Sequence, residues 1–228
     1  MKKSRALAIT GALGLSTITW GALQTRDFRV VDYSLELLEP GTLQGRESFN
    51  ILHVADLHMI PGQRKKVEFV QALAELEPDL VVNTGDNLSD MDGVPWVLDA
   101  LGPLLDVPGV FVFGTNDYWA PQPVNPTKYL LDQKREPSYV DLPWEGMRAA
   151  FIERGWQDAT HQRLEFKASG LRLAVAGVDD PHHELDEYSK IAGKPNPDAD
   201  LALGLLHAPY RRAVSYTHLR AHETDSYL

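Results

Sequence analysis

Four short apolar segments of this chain each run straight into a polar cluster, and that order constrains the fold more than any bulk property. Phe49 to Ala55 leads into Asp56-Leu57-His58, and Leu80 to Asn83 into Gly85-Asp86-Asn87. Val110 to Phe113 leads into Gly114-Thr115-Asn116-Asp117, and Leu201 to Leu206 into His207. Short apolar runs bounded by turn residues read as buried strands. Between them the period changes. Val67, Val70, Leu73, Ala74 and Leu76 recur at helical spacing until Pro78 closes the segment, and Val94 to Leu105 reads as a second helix before Pro108-Gly109. Strands alternating with helices predict an α/β architecture, a layered β-sandwich flanked by helices.

The rest of the chain fills in around that frame. Phe28 to Leu37 alternates apolar and polar residues, as a half-buried strand does, and Pro40-Gly41 marks a turn. Residues 118–143, rich in Pro and Asn, predict a long loop, and Trp144 to Arg154 a helix. Arg163 to Phe166 and Leu171 to Ala176 predict a hairpin around Ser169-Gly170. There are no internal repeats. A length of 228 residues suits one domain, long enough to bury a core.

The two ends read differently. Lys2, Lys3 and Arg5 precede an uncharged run from Ala6 to Leu23, 18 residues at the short edge of a membrane span. Residues 1–27 are therefore expected to be a signal anchor or, alternatively, a cleaved signal peptide. The basic flank predicts a membrane-held protein whose main domain, residues 28–213, faces away from the cytoplasm; the cleaved alternative predicts secretion. Residues 214–228 continue no apolar pattern and resemble translated sequencing-adapter DNA, so they are expected to be a non-native tail. His218 and His222 in that tail are not taken as a metal pair.

Charge and composition exclude several classes of chemistry. A formal net charge of -10 argues against general nucleic-acid binding, which rests on Lys and Arg against phosphates. The absence of cysteine rules out disulfides, zinc–thiolate sites and cysteine nucleophiles. Any bound metal must be held by oxygen and imidazole.

The four clusters supply those ligand types at the strand ends where α/β folds gather functional groups. Just past a strand, residues i and i+2 can face the same side, which gives Asp56 and His58 a common target. The glycines allow the sharp turns such a site needs. Carboxylate, carboxamide and imidazole together suit Mn, Fe, Zn or Co. Singly, each cluster has a plainer reading: Asp-x-His as a capping pair, Gly-Asp-Asn as a simple turn. Their repetition after four strands is what points to a metal site.

The runs Leu-His-Val-Ala-Asp-Leu-His-Met, Asn-Thr-Gly-Asp-Asn, Gly-Thr-Asn-Asp-Tyr and Leu-Leu-His-Ala-Pro resemble the calcineurin-like metallophosphoesterase superfamily, over roughly residues 48–210. The resemblance is closest to bacterial membrane-associated phosphoesterases. It implies two divalent metal ions. Asp56 and His58 would hold one, Asp86 would bridge both, and Asn116 and His207 would hold the second. It implies hydrolysis of a phosphomonoester, phosphodiester or pyrophosphate by a metal-activated hydroxide, on a phosphorylated small molecule or lipid head group. The sequence departs from the family twice. Asp117 stands where the family usually has a histidine that meets the phosphate or leaving group; an acidic residue there is either a catalytic proton donor or a group that orients Asn116. The closing Gly-His-x-His motif, one ligand for each metal, is absent, which fits an incomplete domain that has lost its C-terminus better than a changed mechanism. The chain as it stands is therefore expected to hold metal weakly and turn over little, and a non-catalytic metal- or phosphate-binding scaffold is the alternative.

Other polar residues receive plainer expectations. Asp179-Asp180-Pro181-His182-His183 reads as an acidic loop in preference to a site rim. Tyr118 and Trp119 suit a core as well as a substrate wall. Arg64, Lys65 and Lys66 read as a solvated helical turn.

Overall fold

In a computed structural model, residues 27–121 and 140–208 are described, together with residue 16 and residues 19–21. Two sheets and a helical layer form the body. The first sheet has four parallel strands in the order β1 (Ile51–Val54), β2 (Leu80–Asn83), β3 (Gly109–Phe111) and β4 (Gln157–Asp158). The second has β5 (Gln162–Ala168) antiparallel to β6 (Leu171–Gly177), and β7 (Leu201–Leu205) parallel to β6. The α/β layered sandwich expected from the sequence is what forms.

Parallel neighbours need a crossover, and helices supply it. Helix α1 (Arg64–Ala72) buries Val67 and Val70, one helical turn apart, and continues as a 3₁₀ turn, Leu73–Leu76. Glu77 then takes a left-handed conformation (φ 49°) and Pro78 prevents continuation. Helix α2 (Val94–Leu101) starts on a proline in its first turn, where a missing N–H costs nothing, and buries Val97, Ala100 and Leu101. The short α3 (Thr115–Tyr118), α4 (Trp144–Glu153) and the short α5 (Tyr188–Ile191) follow.

The two faces of the first sheet do different work. Val54, Val81, Phe111 and Phe113 pack with Val67, Val70, Val97 and Phe151 beneath the helices. Leu80, Val82, Val110 and Val112 pack against Leu171, Leu173, Val175 and Leu205 of the second sheet. This alternation along β2 and β3 is the period of two that a strand imposes. The carboxyl ends of β2 and β3 meet those of β6 and β7 at a common edge, where His207 reaches the carbonyl of Thr84 and Asp180 reaches Thr115.

Several expectations change. Phe28 to Leu37 forms no strand: Val31, Tyr33, Leu35 and Leu37 are 67, 85, 73 and 61% exposed. Alternation supplies one apolar face, but a strand also needs a neighbour for its backbone groups, and none of the described strands lies beside it. Phe28 finds an aromatic partner, its ring 5.3 Å from that of Phe69. The run read as a buried first strand is half exposed because β1 is the sheet edge. β4, only two residues long, gave no sequence signal. Among the described residues no helix is long and apolar enough to cross a membrane. Most of the run from Ala6 to Leu23, residues 122–139 of the expected loop and the tail 214–228 lie outside the described residues.

Candidate metal centre

The parallel ladder between β1 and β2 does not stop where the strands stop. Asp56 N donates to Gly85 O (3.0 Å), His58 N to Asp86 O (2.9 Å) and Met59 N to Asn87 O (2.7 Å). The two polar clusters are thus joined at three points, through Asp56, His58 and Met59. Asp56 (φ 54°), His58 (φ 42°) and Asp86 (φ 57°) all adopt the left-handed region without being glycine. Such a conformation costs about 1–3 kcal/mol per residue and collects at functional sites. Two glycines allow the β3 loop to close on the β2 loop. A Cβ on Gly85 (φ +91°) would lie 2.1 Å from Gly114 N, and one on Gly114 would lie 2.2 Å from Asp86 Oδ1.

These turns bring the predicted ligands together. Ligand atoms of Asp56, Asp86 and His207 all lie within 4.8 Å of one another. His58 Nε2 is 3.6 Å from Asp86 Oδ2 and 3.7 Å from Asp56 Oδ1, and His207 Nε2 is 3.4 Å from Asp86 Oδ2. Asn116 donates to both oxygens of Asp86, from its backbone N (2.9 Å) and from Nδ2 (2.7 Å). Asp86 is buried at the centre and Asp56 exposed at the mouth.

The donor set fits divalent cations. Both imidazoles turn Nε2 inward and anchor Nδ1 behind: His58 on Ser89 Oγ (3.0 Å), His207 on the carbonyl of Thr84 (2.8 Å). A carbonyl only accepts, so His207 carries a proton on Nδ1 and presents Nε2 to the cluster. This is the usual support for a metal-bound histidine. Asn116 would have to present Oδ1 instead of Nδ2, a half-turn of its carboxamide.

Burial works against the charge of Asp86, but hydrogen bonds from His207 and Asn116 outweigh it and hold the carboxyl below its ordinary range. The same hydrogen bond to Asp86, opposed by burial, raises His207 to about 9. His207 therefore keeps a proton on Nε2 through neutral pH, and a cation bound there must displace it. Apparent affinity for Mn²⁺ is expected to rise as pH increases from about 7 to 9, by about tenfold per unit, and to flatten beyond. Chelator competition across that range measures it; a flat profile would place His207 outside the site.

Asp117 stands behind the cluster. Its side chain is fully buried. Oδ2 accepts from the backbone N of Asp86 (2.8 Å) and Gly114 (3.0 Å), and Oδ1 from Asn87 (2.7 Å) and Leu88 (3.3 Å). Burial pushes this carboxyl up to about 7, with the nearby Asp86 adding to it and the backbone donors pulling the other way. A carboxylate enclosed by four N–H groups has no face left for a leaving group, so the proton-donor role expected of Asp117 does not fit this geometry. It orients, and what it orients is the Asp86 turn as well as the Asn116 helix.

Three supports escaped the sequence. Ser89 carried no signal. Lys66, read as solvated, donates from Nζ to Leu57 O (2.6 Å), between Asp56 and His58. Asp180, read as part of an acidic loop, is buried and accepts from Thr115 N (3.0 Å) and Oγ1 (2.6 Å), beside Asn116. Asp180 follows β6 as the other clusters follow their strands, and that position was the available signal. Tyr118 packs against Phe113 and Trp144 and donates to Asp179 Oδ2 (2.6 Å), a core role.

Residues 49–219 match the protein family described as calcineurin-like phosphoesterase. No curated protein matches the sequence. Among solved structures, the crystal structure of TT1561 of Thermus thermophilus is similar at 15% identity and a TM-score of 0.32, over 57% of this chain and 49% of that one. The match thus spans about half the length of that protein, and so slight a likeness carries no argument.

Proposed function

We propose that this chain, which belongs to the calcineurin-like phosphoesterase family, is a metal-dependent hydrolase of phosphoesters. The observation that carries the reading is the convergence of Asp56, Asp86 and His207 within 4.8 Å, with His58 and Asn116 in contact with the same central carboxylate. Asp56, His58 and Asp86 would hold one divalent ion, and Asp86, Asn116 and His207 a second. Bound there, the ions would polarise phosphate oxygens and lower the pKa of a water that attacks phosphorus.

The protein's own part is to fix that constellation. Ser89 and the Thr84 carbonyl set the two imidazole edges, Asp117 sets the Asp86 turn, and Asp180 sets the start of α3. Exposed Asp56 marks the side from which a phosphomonoester, phosphodiester or pyrophosphate would enter. Location at a membrane, with a lipid-linked or small phosphorylated substrate, rests on the run from Ala6 to Leu23 alone. A binding scaffold is the second reading, favoured by the absence of a Gly-His-x-His motif.

The test is hydrolysis of bis(p-nitrophenyl) phosphate by the purified chain with Mn²⁺. Slow turnover is expected, abolished by EDTA and restored by excess Mn²⁺. Stoichiometric Mn²⁺ binding without any turnover would replace the hydrolase with the scaffold.

A further inference from the structure

We propose that Asp180 is a positioning residue for the second ion alone: by tying the end of β6 to the start of α3, it sets Asn116 against His207. The proposal rests on the reading above, in which Asp86, Asn116 and His207 would hold that ion.

The two proposed ion sites are built differently. Asp56 and His58 follow β1, and backbone hydrogen bonds join them directly to the Asp86 loop. Asn116 follows β3 and His207 follows β7, strands of different sheets, so no shared ladder sets the distance between them. Asp180 stands where the sheets have to be joined. β6 runs parallel to β7 with Gly177 opposite Leu205, and Val178 N donates to Leu205 O (3.0 Å). The segment that carries Asp180 is thus registered on the strand that carries His207. From there Asp180 Oδ2 crosses to the first sheet and accepts from Thr115 N (3.0 Å) and Thr115 Oγ1 (2.6 Å), the residue before Asn116. Oδ1 faces the backbone N (3.0 Å) and Nδ1 (2.7 Å) of His182. Both oxygens are engaged and the side chain is 1% exposed, so Asp180 acts through Thr115 and not as a ligand.

Burial works against the charge of Asp180, but hydrogen bonds from Thr115 and His182 outweigh it and hold the carboxyl below its ordinary range. A buried anion with donors on two sides makes a stiff bridge, because moving either side breaks charge-assisted bonds. That stiffness matters when Asn116 turns its carboxamide to present Oδ1. The turn gives up the bond from Nδ2 to Asp86, and the residue is then held by its backbone N on Asp86 and by the grip of Asp180 on Thr115. The charge of Asp180 reaches the other ligand too: behind the leading hydrogen bond to Asp86, it adds to the influences that favour a proton on His207.

The experiment is a Mn²⁺ titration of the full chain without substrate, read from the EPR signal of free Mn²⁺. Asp180→Asn keeps the size of the side chain but turns a donor toward one of its two partners. It is expected to weaken the second ion about 10–100-fold, the usual effect of losing a group that orients a ligand, and to leave the first within about twofold. Thr115→Ala deletes one hydroxyl and leaves the buried carboxylate in place, so it tests the link even if Asp180→Asn fails to fold. It is expected to weaken the same ion by a smaller factor. In the metal-free protein, NMR signals of the Asn116 carboxamide and the His207 ring are expected to shift in both variants while the His58 ring stays. Equal weakening of both ions would make Asp180 a support of the whole fold and overturn the proposal. An unchanged second affinity in the two variants would overturn it as well. If the unsubstituted chain binds fewer than two Mn²⁺, the two-ion reading fails and this proposal with it, whereas turnover tests the hydrolase reading separately.

Discussion

Replacing Asp86 with alanine is expected to bring Mn²⁺-dependent hydrolysis of bis(p-nitrophenyl) phosphate to background, a loss of about 10³-fold or more, since metal stabilisation of the transition state is worth several kcal/mol. Among the described residues, no other side chain touches so much of the cluster. Its two oxygens take both donors of Asn116, and Oδ2 lies 3.4 Å from His207 and 3.6 Å from His58. Without that carboxylate the proposed sites would lose the group that His58, Asn116 and His207 all face. The substitution also removes the anion that raises His207, so the imidazole should titrate at lower pH than in the parent protein. That second readout, by NMR of the histidine ring in the metal-free protein, is independent of turnover. Activity that survives the substitution would remove Asp86, and the shared-carboxylate arrangement with it, from the mechanism.

Asp117→Ala is expected to act on folding first. The substitution leaves four backbone N–H groups, those of Asp86, Asn87, Leu88 and Gly114, without their acceptor inside a fully buried pocket. A buried donor left unpaired costs about 1–3 kcal/mol, and partial relaxation keeps the sum below simple addition, so a destabilisation of about 3–5 kcal/mol is expected. Against a typical domain stability of about 5–15 kcal/mol, that brings the chain close to unfolding at ambient temperature. Urea denaturation measures it. Asp117→Asn, which keeps an acceptor oxygen on one side, should lose less. A loss under about 1 kcal/mol in the alanine variant would mean that water or local rearrangement replaces the carboxylate, against the enclosed role described for it.

The clustered residues were legible because they obey a positional rule: a polar cluster directly after an apolar strand. Asp56, His58, Asp86, Asn116 and His207 all follow it, and the fold gathers them around the Asp86 carboxylate. Asp180 follows it too, after β6, yet its neighbours Asp179 and Pro181 gave the segment the texture of an ordinary acidic loop. The role of Asp117 was not legible. Sequence shows a carboxylate beside a ligand, and only the fold shows that its oxygens face inward, toward the backbone of another loop. Phe28 to Leu37 failed for the converse reason. Its alternation is a property of the segment itself, whereas strand formation depends on a neighbour that no local pattern encodes.

The hydrogen bonds that join residues 56–59 to residues 85–87 make the reach between Asp56 and Asp86 a matter of counting. Asp56, His58 and Met59 of one loop answer Gly85, Asp86 and Asn87 of the other, and Leu57 is passed over between them. Sliding one loop by a single step would carry Leu57 to the place of Asp56 and turn the carboxylate to the opposite face. Intermediate spacings are not available, so the arrangement is quantised. Evolution of metal preference at this centre must then proceed by exchanging side chains within a fixed register. Lengthening or shortening either loop by one residue would not tune the site but dismantle it.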